Sequence, residues 1–71
     1  MYAEFFGERL KQARKMKGLT LIQAEIETGI DSTKLCRIEN NKRQPTTEEI
    51  GKLAQTYEVS LDWLFGNVQK V

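Results

Sequence analysis

Large apolar residues recur along this chain at helical spacing, and no segment alternates like a strand. In "FFGERLKQARKMKG", Phe6, Leu10 and Ala13 fall at i, i+4 and i+7, Lys17 continues the register, and Gly18 stands where the helix should end. "TLIQAEIETG" opens on Thr20 with Gln23 three residues later, the spacing of a capping box, and closes at Gly29. "DSTKLCRIENN" comes next, capped by Asp31 or Ser32 and closed by Asn41 in the left-handed conformation. In "PTTEEIGKLAQTYE", Pro45 precedes a Thr46 cap paired with Glu49, and Ile50, Leu53, Ala54 and Tyr57 repeat at helical spacing. "VSLDWLFG" offers Ser60 as a cap and Val59 against Leu64 as a hydrophobic staple. The pattern predicts an all-α chain of five helices with short connections.

The third of these helices divides cleanly around its axis. At about 100° per residue, Leu35, Ile38 and Glu39 fall on one half, while Ser32, Thr33, Cys36, Arg37 and Asn40 gather on the other. The first half belongs to a core. The second carries short hydrogen-bonding groups and one guanidinium, which suits either a solvated surface or one laid against a partner. Only "GID" joins the second helix to the third, so the two must cross at a large angle, with the later one presented outward as in a helix-turn-helix.

Composition then narrows the field. Seventy-one residues make a single domain, 1–71, that buries about 60% of the surface its unfolded chain exposes. With 39% hydrophobic and 30% charged residues, one Pro and five Gly, the chain reads as folded, not disordered. It has no apolar run of membrane-spanning length, and "MYAEFFGERLK" lacks the lead of a signal peptide, so a cytoplasmic chain without a membrane partner is expected. A lone Cys36 closes no internal disulfide, and the absence of His leaves no ordinary zinc ligand set, so no metal or other cofactor is expected. Without His, a Gly-rich phosphate loop, or a Ser or Cys beside a base, catalysis is not expected either.

The net charge of +1 conceals a segregation: residues 1–19 carry +3, 20–30 carry −2, 31–43 carry +2 and 44–71 carry −2. Local cations on a nearly neutral body fit a basic face, although a solvated first helix accounts for part of the pattern.

From "GERLKQARKMKGLT" through "TGIDSTKLCRIENNKRQPT" to "IGKLA" and "VSLDWLFG", the chain resembles the lambda-repressor and Cro-like helix-turn-helix domains, the XRE family. The joint match of "RIENNKRQP" and "VSLDWLFG" at the right separation makes the resemblance specific. It implies a compact five-helix lambda-repressor-like domain that inserts helix 32–40 into the major groove of double-stranded operator DNA, acting as a transcriptional regulator, most simply a repressor. By position, the resemblance places Ser32, Thr33 and Arg37 at base edges. Lys34 and Cys36 flank them, and Asn40, Lys42 and Arg43 lie along phosphates. Arg14 and Glu39 match a partly buried salt bridge that orients the reading helix. Chemistry agrees, because the Arg fork fits O6 and N7 of guanine, whereas Ser and Thr discriminate less.

Several positions depart from the family pattern: Leu21 replaces the usual phosphate-touching Gln, Asp31 adds an anion beside the phosphate track, and Glu25 stands where a small residue is usual. Either the second helix is rotated slightly so that Glu25 points to water, or Glu25 is partly buried and needs a cation, by sharing Arg14 with Glu39 or turning to Arg37. Cys36, where relatives often have Ser, is either a small filler or an oxidisable thiol. Trp63 and Phe65 exceed what a short last helix needs, so they either close the core or form a patch for a homodimer on a pseudo-palindromic operator, with Ile22 and Ile26 as weaker candidates. An alternative reading keeps the fold as a protein-binding module, an antitoxin or adaptor, that uses the aromatic end. No small-molecule ligand is evident, and with no sensing segment after Val71 in this sequence, control is expected to come from concentration, from a partner or from another polypeptide.

Overall fold

A computed structural model describes residues 6–66, which form α1 (Phe6–Met16), α2 (Leu21–Thr28), α3 (Ser32–Glu39), α4 (Thr47–Tyr57) and α5 (Leu61–Leu64). Residues 1–5 and 67–71, with Phe5 of the first expected helix, most of the expected non-signal lead and both ends of the expected 1–71 domain, lie outside the described residues. No strand occurs among the described residues, and none of their helices is long and apolar enough to cross a membrane.

Helix boundaries follow from local hydrogen bonding. Thr20 Oγ1 accepts from Gln23 N–H at 3.1 Å while Gln23 Oε1 accepts from Thr20 N–H at 2.8 Å, so two amides at the start of α2 are satisfied reciprocally. Thr46 and Glu49 repeat the arrangement at α4, and Ser60 Oγ accepts from Trp63 N–H at 3.0 Å to open α5. The α1 end is a Schellman motif: Gly18 sits at φ 74°, and Leu19 N–H reaches back to Arg14 C=O at 3.1 Å. Lys17 falls just beyond this helix and is exposed.

Every helix contributes to one core. Phe6, Leu10 and Ala13 of α1 meet Ala24 of α2, Leu35 and Ile38 of α3, Ile50, Leu53, Ala54 and Tyr57 of α4, and Leu64 of α5, while Ile30 plugs in from the α2–α3 turn. Each large aliphatic side chain among them contributes about 1.5–3 kcal/mol relative to exposure. Helix α3 rests on α1 and α2, and α4 closes the body against α1, α2 and α5.

A backbone contact sets how closely α1 approaches the end of α3. A Cβ at Gly7 would come within 2.6 Å of both Ile38 O and Glu39 O. The bare Gly7 instead lets its N–H donate to Asn41 Oδ1 at 3.2 Å. Tyr57 carries the core's orphan: its hydroxyl is buried without a hydrogen-bond partner, and burial, reinforced by the Glu39 charge and opposed by Arg14, pushes the phenol up to about 12.

Candidate nucleic-acid interface

The turn between α2 and α3 satisfies several of its polar groups within the protein. Gly29, at φ 78°, donates its N–H to Glu25 C=O at 2.7 Å. Thr28, itself buried, donates its hydroxyl to Ala24 C=O at 2.7 Å and accepts from Ile30 N–H at 3.1 Å. Asp31 is the cap of α3, its carboxylate accepting from Thr33 N–H at 2.7 Å.

The expected cation at Glu25 is absent. Glu25 is half-buried, and its Oε1 accepts instead from the backbone N–H of Ser32 at 3.1 Å. Arg14 is engaged elsewhere: its Nε and Nη2 fork onto Glu39 at 2.7 and 3.2 Å and Nη1 donates to Leu19 C=O at 2.8 Å. That fork lies deeper than a partly buried bridge, with side-chain exposures of 8% for Arg14 and 5% for Glu39. The hydrogen bond to Glu39 raises the Arg14 guanidinium above its ordinary range, against the opposing effect of burial. Anchored this way, Glu39 holds the inward face of α3 to α1, beside the fully buried Leu35 and Ile38.

The opposite face of α3 is open. Thr33, Cys36, Arg37 and Asn40 are exposed, and Ser32 and Lys34 are half-buried. Among the described residues, no hydrogen bond or ion pair engages the Arg37 guanidinium. A shallow groove lined by Asp31, Thr33, Lys34, Arg37 and Arg43 runs along this face. Lys34 is tethered at its edge, its Nζ 3.3 Å from Glu49 Oε2. Glu49 is thereby held below the ordinary carboxylate range, first by the Thr46 amide and then by Lys34. Cys36 is a free thiol. Asn40 donates its side-chain amide back to Cys36 C=O at 2.8 Å and lies 3.5 Å from Cys36 Sγ, so this group closes its own helix.

A second Schellman motif delivers the cations that follow. Asn41 takes φ 59°, its N–H reaches Ile38 C=O at 3.1 Å, and Lys42 N–H reaches Arg37 C=O at 2.8 Å. The chain therefore leaves α3 in a fixed direction, with Lys42 and Arg43 exposed immediately beyond it.

The aromatic end behaves differently from the reading face. Trp63 and Phe65 are half-buried against the core; Phe6 stacks on Phe65 at 5.2 Å between centroids, and Arg9 lies 4.6 Å over the Trp63 ring while donating to Trp63 C=O. The large apolar side chains that stand in solvent among the described residues are Met16, Ile22, Ile26 and Leu61. Residue types alone did not disclose the Glu25 contact or the Lys34 tether. Both partners lie across a turn or on another helix.

Comparison with known proteins adds sequence relationships to this geometry. A model of the helix-turn-helix domain matches residues 7–70. The chain is 38% identical over 60 residues to the HTH-type transcriptional regulator ImmR of Bacillus subtilis (strain 168), covering 84% of this chain and 47% of that protein. It is 35% identical over 68 residues to the uncharacterized HTH-type transcriptional regulator RghRB of the same organism, covering 90% of this chain and 49% of that protein. The chain thus spans about half the length of the curated relatives it matches.

Proposed function

The chain belongs to the helix-turn-helix domain family, and on that premise we propose that it is a DNA-binding transcriptional regulator, a repressor that occupies an operator with α3 in the major groove. One observation carries the reading: the α3 face opposite the buried Leu35, Ile38 and Glu39 is open and presents Arg37 with no internal partner among the described residues. A guanidinium free of intramolecular bonds keeps its fork for a base edge, and guanine O6 and N7 match it. Ser32 and Thr33 read with side-chain hydroxyls, since their amides are taken. Lys42 and Arg43 sit where phosphate contacts need charge more than precise geometry. Cys36 and Lys34 border the contact, and Asn40 serves the end of α3 first. The protein acts by binding and not by catalysis, and it works in the cytoplasm beside the DNA.

A homodimer on a pseudo-palindromic operator extends the proposal. Its support is α5, where Leu61 is 46% exposed beside the half-buried Trp63 and Phe65. A protein-binding module is the competing reading, and the exposed Ile22 and Ile26 on α2 favour it.

Selection of bound fragments from random duplex DNA tests these readings together. The proposal predicts a recovered consensus containing guanine, in two related half-sites about 34 Å apart for a dimer. A single half-site removes the dimer and leaves the DNA reading intact. Recovery of no consensus contradicts sequence-specific DNA binding and favours a protein partner.

A further inference from the structure

Glu25 belongs to α2, yet its carboxylate reaches across the turn to the first amide of α3. That amide is one of the donors a helix start leaves unsatisfied. Asp31 takes the next, at Thr33. Two carboxylates from different elements therefore fill the N-terminus of the helix whose side chains face outward, where they also complement its dipole. A phosphate that approached these amides would meet two anions already seated on them. The covalent link between the helices is only Gly29, Ile30 and Asp31, with Gly29 in the left-handed region, so a side-chain contact across the corner adds a constraint the backbone does not provide.

We propose that Glu25 is a positioning residue for base reading: by clamping the Ser32 amide it fixes the pitch of α3 relative to α2, and with it the approach of Ser32, Thr33 and Arg37 to a duplex. The inference rests on the DNA-binding reading above. It divides the role of Glu25 into two separable parts. As a hydrogen-bond acceptor it holds the angle on which discrimination depends. As an anion beside the expected phosphate track, it weakens binding to every sequence alike.

Glu25→Ala and Glu25→Gln separate the two parts. The glutamine keeps an oxygen that accepts from Ser32 N–H and loses the charge; the alanine loses both. Binding to a duplex selected by the wild-type chain is compared with binding to the unselected random pool, and helical content and melting are followed as folding controls. Glu25→Gln is expected to bind both DNAs more tightly while keeping their affinity ratio within about twofold of wild type. Glu25→Ala is expected to gain on the pool without gaining on the selected duplex, so that the ratio falls about tenfold. Hydrogen exchange at the Ser32 amide supplies a readout without DNA: protected in the wild type and Glu25→Gln, faster in Glu25→Ala. An unchanged ratio in Glu25→Ala, or an equal fall in Glu25→Gln, overturns the positioning role. Unchanged Ser32 exchange in Glu25→Ala overturns the clamp with the DNA reading intact. A wild-type chain that prefers no duplex overturns that reading and the positioning role with it, whatever the exchange shows.

Discussion

Arg37 and Arg14 show what environment does to one residue type. Arg14 is enclosed, with all three guanidinium nitrogens donating inside the protein, whereas Arg37 is exposed on the far side of α3. Substituting Arg37 with alanine should therefore leave the melting temperature nearly unchanged and weaken binding to the selected duplex by about 10- to 100-fold. Breaking the other pair should do the reverse. Glu39→Ala leaves the Arg14 cation buried and unpaired, and a loss of about 3–5 kcal/mol is expected in a denaturant titration. Tyr57 supplies a pH test. Its phenol titrates near 10 in the unfolded chain and at about 12 in the folded one, so the neutral form is favoured by folding. Folding stability is therefore independent of this group below pH 10 and falls as pH rises from 10 through 12, by on the order of 2 kcal/mol in all, because ionising the buried phenol is penalised only in the folded chain. Tyr57→Phe should match or exceed the wild type at neutral pH, because it removes an orphaned hydroxyl. It should also lack the alkaline decline assignable to Tyr57, as followed by melting at pH 8, 10 and 12.

At the scale of elements, two glycines in helices make opposite predictions. Gly7 lets α1 touch the carbonyls at the end of α3, whereas a Cβ added at Gly51 in α4 would meet nothing within 4 Å. Gly51→Ala should stabilise the fold by about 0.5–1 kcal/mol through backbone entropy and helix propensity. Gly7→Ala gains the same propensity but forces the helices apart, so a net loss of about 1–3 kcal/mol is expected in the same melting assay. The sequence disclosed the elements well because their ends are written locally: Thr20 with Gln23, Thr46 with Glu49, and Ser60 each carry both donor and acceptor within four residues. It disclosed the outward face of α3 for the same reason, since a wheel needs only neighbours. Glu25 escaped, because the amide it meets depends on the exact path of the turn, and a wheel shows only that it is half-enclosed. The number of aromatic residues at α5 likewise gives no hint that Phe6 and Arg9 from α1 would cover Phe65 and Trp63.

For the molecule as a whole, the near-zero net charge is the misleading quantity and its distribution is the useful one. The cations of residues 31–43 are divided by the fold: Lys34 is tied to Glu49, while Arg37 and Arg43 line the groove along α3, which α1 and α2 support from behind, and Lys42 is exposed just beyond the helix. The remaining exposed ion pair in the described region, Lys17 with Glu58, contributes little. Salt dependence is the sharpest consequence of that division. Affinity for the selected duplex should be titrated against salt concentration for the wild-type chain, Lys42→Ala and Arg37→Ala. The expected result is a steep linear fall of log affinity with log salt, a slope shallower by about 1 in Lys42→Ala, and a loss of preference over random duplex in Arg37→Ala. Affinity that ignores salt, or an Arg37→Ala chain that still prefers the selected duplex as strongly as the wild type, would contradict it.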